Sequence, residues 1–267
     1  MKPYLFRQAF LSPAVRPKVG AIRVMTWNVH KGIGGVDRRY APWRIAAVIR
    51  HHDPDIAMLQ EVADGIPRSH RDRQTELWGA VLGYPYRVFA PDVRLKEGQW
   101  GNAILSRYPI IRTHHVSLSF PLKKHRGALC AEMDIRLGSG RHLLNIINVH
   151  LGLSGMERMW QVKRLLSSAP IANLGHNSRV LVAGDTNDWS GKLAWPRSAL
   201  RKAGFTLARG THKGAPKTFP AWYPVAGLDR FYFGGPIICR SAYRSGFSLA
   251  RTASDHLPLV VDIDLVA

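Results

Sequence analysis

Cysteine is nearly absent from this chain: Cys130 and Cys239 are the only two in 267 residues. Each stands alone in an apolar setting, so no CxxC pair or Cys/His cluster offers a zinc site, and one disulfide at most can form. Isolated thiols of this kind read as reduced core residues and favour a reducing compartment. Acidic residues are scarce too, 18 Asp and Glu against 38 Lys and Arg, for a formal charge of +20. Such an imbalance favours a polyanionic partner, nucleic acid or an anionic membrane surface, through long-range attraction to phosphate. No run of about 18 apolar residues occurs, the length a membrane-spanning helix needs. The N-terminal stretch lacks the apolar core of a secretory signal, because Arg7, Gln8 and Pro13 interrupt it. The expectation is a cytoplasmic monomer, peripheral at the inner membrane if it meets lipid.

What is present is an ordinary globular composition, 46% hydrophobic and 21% charged. A chain of this length buries a large core without disulfides or a structural metal. Residues 1–20 carry three prolines and read as an irregular N-terminal arm, and 21–267 as one domain. Short apolar runs predict strands at 21–29, 55–62, 102–106, 180–183 and 257–265, with a hairpin over 127–135 and 141–149. Helical spacing covers 41–51, 74–82, 156–167 and 194–202, and 90–101 reads as a polar loop. Strands alternate with helices and then hairpins intrude, so the sheet should be mixed.

The chemistry gathers where buried strands end. In the stretch RVLVAGDTNDWS an apolar run stops at Gly184, and Asp185, Asn187 and Asp188 follow. An extended chain would put Asp185 and Asn187 on one side, while Asp188 suits turn chemistry. The same coincidence recurs at Asn28, Glu61, His150, Asp229, and Asp255 with His256. Strand ends of an α/β protein collect at one edge, where sites form. Glu61, Asn28 and Asp255 offer oxygen ligands of the sort Mg²⁺ accepts. His256 is a candidate general base with Asp229 fixing its tautomer. His150 and Asn187 can donate hydrogen bonds to a phosphoryl oxygen, and Asp185 can orient the attacking water.

At these residues the chain resembles the endonuclease/exonuclease/phosphatase superfamily, the DNase-I-like phosphoesterases. The matching pieces are TWN, LQEV, GNAILSRYP, NVHLGL, GDTND, LDRFYF and SDHLPL, in the family's order from Val24 to Val260. The resemblance implies a four-layered α/β sandwich of two mixed, mainly antiparallel sheets, with the active site at one edge. It also implies Mg²⁺ or Mn²⁺ dependence and water attack on a phosphoester. His150 follows its strand as in the DNase, sphingomyelinase and inositol-phosphatase branches, where abasic-site endonucleases usually carry Tyr. The NVHKG form of the first motif is most similar to a bacterial subgroup near lipid-acting relatives.

Arg126 resembles the family's phosphate-contacting arginine, and Asn102, Lys31 and Trp222 are further substrate-binding candidates. Arg158 and Gln161 share a helix face and read as structural; so does Trp27, as buried packing. The first functional expectation is a divalent-metal phosphodiesterase acting on DNA or RNA. The alternative places the same chemistry on a phospholipid headgroup or inositol phosphate at an anionic membrane. A non-catalytic polyanion-binding module ranks third, since binding alone does not need a His–carboxylate pair.

Overall fold

The computed structural model describes residues 21–138, 140–194, 197–209 and 216–266; the expected N-terminal arm lies outside them. In chain order the first strands are β1 (Ile22–Asn28), β2 (Ile56–Asp64), β3 (Tyr86–Arg94), β4 (Gln99–Ser106), β5 (Ile110–Ser117) and β6 (Gly127–Leu137). They are followed by β7 (Gly140–His150), β8 (Arg179–Asp185), β9 (Thr206–Leu207), β10 (Asp229–Gly234), β11 (Ile237–Arg244) and β12 (Leu259–Leu265). The helices that matter for the site are α1 (Pro42–His52), α2 (Gln74–Leu82) and α3 (Gly155–Leu166).

Two six-stranded sheets form, ordered β11-β12-β1-β2-β4-β3 and β5-β6-β7-β8-β10-β9. Each holds one parallel pair, β1 with β2 and β7 with β8, and its other pairs are antiparallel. Strand alternation explains the layering. Ile22 and Val24 of β1 point into the core between the sheets with Met58, Leu181, Ala183 and Phe231. Met25 and Trp27, of opposite parity, pack outward with Ile45, Ile49 and Trp78 of α1 and α2. On the far sheet Val180 and Val182 pack outward with Val162 and Leu165 of α3. This is the four-layered α/β sandwich. Strands buried on both faces read as near-continuous apolar runs, so the polar residues at their ends stand out, although Arg23, Gln60 and Asn148 are buried inside β1, β2 and β7.

Three segments differ from the sequence expectation. The region 90–101 is largely strand, the β3–β4 hairpin, because its Trp100 and Val93 pack with Ala63 and Ile66 in a small separate cluster. Of the helix expected over 194–202, the described residues hold one short helical segment, Ala199–Lys202, and the end of a 3₁₀ turn, Lys192–Ala194. Asn187 does not continue the extended chain: its φ of +48° bends it off the end of β8. Both cysteines are free, Cys130 buried and Cys239 half-buried. Among the described residues no helix is long and apolar enough to cross a membrane.

Candidate active site

Register brings the acidic and imidazole groups together. Asp229, opening β10, is the cross-strand partner of Asp185, and His150, ending β7, is its partner on the other side. The β7–β8 approach depends on Gly184, whose φ is +146° and where any Cβ would sit 1.8 Å from the Val149 carbonyl oxygen. Only glycine lets β8 run this close just before it delivers Asp185.

Asp185 Oδ2 accepts a hydrogen bond from Asn28 Nδ2 at 3.1 Å and lies 3.4 Å from His150 Nε2 and 3.7 Å from His256 Nε2. Its Oδ1 accepts the Asn187 N–H at 3.0 Å. His256 Nδ1 is 2.8 Å from Asp229 Oδ2, so Nε2 is the nitrogen turned toward Asp185. Three contacts hold His256 in place. Its carbonyl accepts from Trp27 Nε1 at 2.8 Å, its ring lies 4.9 Å from Phe219, and its N–H donates to Ser254 Oγ at 3.3 Å. Ser254 Oγ in turn donates to the Asn28 carbonyl at 2.7 Å, tying the last motif to the first.

Burial and charge set the protonation of this cluster. Burial raises the Asp185 carboxyl, with Asp229 adding to the rise and His256 opposing it. For His256, burial acts downward, but Asp229 and Asp185 outweigh it and the net shift is upward. His150 is held well below its ordinary value by burial first and the Arg126 cation second. Arg126 places an N–H 3.3 Å from His150 Nδ1, so a neutral His150 keeps its proton on Nε2 as a donor.

Glu61 is not at a strand end. It sits inside β2 at a bulge, where pairing with β4 shifts between Leu59 and Val62, and its φ is +53°. Bulges re-aim side chains beside sites. Two more residues with positive φ follow Asn28, His30 at +45° and Lys31 at +59°. Such conformations cost on the order of 1–3 kcal/mol each unless the surroundings enforce them. Here Gln74 Nε2 and Ser69 Oγ both donate to the Lys31 carbonyl. The result is an ion pair between Lys31 Nζ and Glu61 Oε2. Burial would raise the Glu61 carboxyl, but Lys31 and His150 outweigh it and its pKa is lowered.

Of the remaining candidates, Asn102 is buried with both amide hydrogens spent on Asp92 Oδ2 and the Gly127 carbonyl. It has no donor left for a phosphate and instead steadies the turn that carries Arg126. Asn187 donates to the Leu151 carbonyl at 2.9 Å, which leaves one amide hydrogen. Asp255 is partly exposed, within 3.3 Å of Ser254 Oγ and 3.9 Å of His30 Nδ1. Trp222 is exposed and its ring contact is with Tyr223. Asp188 is corrected from turn residue to buried ion pair, 2.5 Å from Arg230. The structural readings of Gln161, which bonds Gly152 and Leu118, of Arg158, which bonds Leu153, and of buried Trp27 hold.

Sequence reasoning passed over Trp100. The Lys31 and Lys124 ammonium groups lie 4.8 and 4.6 Å from its ring, and His150 is 6.4 Å away. The signal lay at Trp100, two residues before Asn102, hidden by reading 90–101 as loop. Also missed was the floor of the site, where Gln60 Nε2 donates across the two sheets to Asn148 Oδ1 at 2.7 Å. Around the cluster Asp229 Oδ1, Asn102 Oδ1 and Arg126 Nε are buried without a partner. Such atoms are rare in folded proteins, and here they mark spare hydrogen-bonding capacity.

Residues 25–256 match the model of the Endonuclease/Exonuclease/phosphatase family. The uncharacterized protein YbhP of Escherichia coli strain K12 is 31% identical over 256 residues, covering 92% of this chain and 97% of its own. Among solved structures, an endonuclease/exonuclease/phosphatase from Beutenbergia cavernae superposes with TM-score 0.75 at 23% identity, over 92% of this chain and 72% of that one. D. rerio TDP2 complexed with single strand DNA product superposes with TM-score 0.65 at 17% identity, over 91% and 99%.

Proposed function

Because the chain belongs to the endonuclease/exonuclease/phosphatase family, we propose that it hydrolyses a phosphodiester by attack of water, assisted by Mg²⁺ or Mn²⁺. Members of the family are hydrolases of phosphoester bonds and generally depend on a divalent metal. The observation that carries the finer reading is the convergence of His150 and the Asp229-held His256 on one oxygen of Asp185.

The donor set fits a hard divalent cation. Glu61, Asn28 and Asp255 supply oxygens only, and the Glu61 carboxylate already draws the Lys31 ammonium. These three residues would hold the ion, which when bound polarises the phosphoryl group and offsets its developing charge. Asp185, Asp229 and His256 also present ligand atoms within 4.8 Å of one another. The 2.8 Å His256–Asp229 contact supports assigning them to water activation instead.

Asp185 orients the water in this scheme. In its neutral form His256 Nε2 takes the water proton as a new P–O bond forms, and Asp229 and Asp185 favour the imidazolium that results. The ester P–O bond breaks with its electron pair on the leaving oxygen, which is then protonated. His150 Nε2–H and the free Asn187 hydrogen donate to non-bridging oxygens, and Arg126 lies behind His150. The carrier of the phosphodiester is a polyanion, nucleic acid or anionic lipid, on the strength of the +20 charge.

Bis(p-nitrophenyl) phosphate with Mn²⁺ or Mg²⁺ tests this directly. Hydrolysis should vanish with chelator and fall roughly 10²–10⁴-fold in His256→Ala. In parallel, a metal-induced rise in melting temperature should be lost in Glu61→Gln, since a ligand at about 100 Kd stabilises by about 2.7 kcal/mol. Full activity in His256→Ala, or in metal-free enzyme, would overturn the reading.

A further inference from the structure

Large apolar side chains stand in the solvent around this site, on loops that also carry its chemistry. On one side, Leu122 is fully exposed, and Leu153 and Met156 are about two-thirds exposed. Leu122 lies in the segment that ends at Arg126; Leu153 and Met156 follow His150 into the first turn of α3. The two segments are fastened together: Gln161 of α3 donates to the Leu118 carbonyl at 2.9 Å, and Phe120 packs edge-on against Trp160 at 5.5 Å. On the other side, Trp189, Trp222 and Tyr223 are each more than half exposed. Trp189 packs on Phe219 at 5.7 Å, and Phe219 packs on His256 at 4.9 Å. The catalytic cluster therefore lies between two apolar ridges. From Leu122 the exposed Lys123, Lys124 and His125 lead directly into Arg126, and Lys124 Nζ lies 4.6 Å from the Trp100 ring beside the site.

We propose that these ridges dock the protein on an anionic phospholipid surface, so that the phosphodiester presented to the site is that of a lipid headgroup. The inference rests on the phosphoesterase reading above and narrows its substrate class. Charge alone suits nucleic acid and membrane equally. The side chains discriminate between them. Single-stranded nucleic acid is held by aromatic faces on which bases stack, but Leu122, Leu153 and Met156 have no π-face, and a solvated phosphate backbone gives them nothing to bury against. A bilayer interface matches the whole set: aliphatic tips enter the acyl boundary, Trp and Tyr sit at headgroup level, and lysines meet anionic phosphates. A second copy of the chain is a poor occupant, because it would bring two basic clefts of a +20 protein face to face.

The test is co-sedimentation of the full chain with phosphatidylglycerol-rich vesicles and with phosphatidylcholine vesicles, beside binding of a duplex oligonucleotide. The comparison is with a triple variant, Leu122→Ser, Leu153→Ser and Met156→Ser, all exposed positions outside the catalytic cluster. The wild-type protein should bind the phosphatidylglycerol vesicles and keep part of that binding in high salt. The variant should lose roughly tenfold or more of the partitioning, in line with the apolar area withdrawn, with unchanged hydrolysis of bis(p-nitrophenyl) phosphate. Equal partitioning of variant and wild type would overturn the docking surface, as would oligonucleotide binding with no vesicle binding. Vesicle binding lost in the variant, with no hydrolysis of the soluble diester by either protein, would leave the docking surface standing and remove the phosphoesterase reading.

Discussion

Asp185 ends β8 and Asp188 lies three residues on; they are the same residue type and equally hidden, at 2% and 1% exposed. Their surroundings differ in kind. Asp188 is compensated on every side: Arg230 NH1 at 2.5 Å, the Leu193 N–H at 2.9 Å, Ser190 Oγ at 3.0 Å and Arg158 at 3.7 Å. Burial would raise its carboxyl, yet Arg230 and these hydrogen bonds bring the net shift downward. Asp185 has no arginine among its polar contacts. It meets a neutral amide, a backbone N–H and two imidazoles, and beside Asp229 its net shift is upward. A buried carboxylate with full compensation is structure; one left short of positive charge keeps the basicity that handling a water molecule requires.

Breaking each partner separately should separate activity from stability. Asp185→Asn should lower the rate of diester hydrolysis roughly 10²–10⁴-fold and leave the denaturant midpoint close to wild type, because the charge it removes was poorly compensated. An active Asp185→Asn enzyme would erase the distinction. The reciprocal change, Arg230→Met, strands the Asp188 charge and should destabilise the fold by about 3–5 kcal/mol in urea titration. The fraction that remains folded should retain its turnover number, since Arg230 touches no group of the catalytic cluster.

His52 extends the comparison to a buried group with no counter-charge. Its Nε2 is 2.8 Å from Ser245 Oγ, and burial, with His51 and Arg23 adding, lowers its pKa to about 3. The folded value is depressed below the unfolded one of about 6.5, so protonation favours the unfolded chain. Stability is fully present above that value and is lost as pH falls toward about 3. The expected slope from this group is up to about 1.4 kcal/mol per pH unit, and His52→Gln should flatten it in denaturation series between pH 7 and 4. An unchanged slope would show that other groups carry the acid sensitivity.

Much of the framework was legible in one dimension. Strands buried on both faces read as near-continuous apolar runs, so polar groups where those runs stop are visible, and Asn28, His150, Asp185 and Asp229 were found this way; Gln60 and Asn148, buried inside β2 and β7, were not. Glu61 was identified as a residue but misplaced as an end, because a bulge has no signature in hydrophobic alternation. The β3–β4 hairpin was hidden by its polar, half-exposed face. Asp188 shows the limit most plainly: Arg230, which compensates it, lies 42 residues further along the chain.

The sequence by itself determined the sandwich, the family and most of the polar residues gathered at its edge, since periodicity and ordered motifs are local properties. Only the tertiary structure decided which carboxylate is compensated and which is not, where Lys31 and Trp100 stand, and that apolar ridges flank the cluster. Those depend on distances between segments far apart in the chain, and burial and Coulomb interaction are set by such distances.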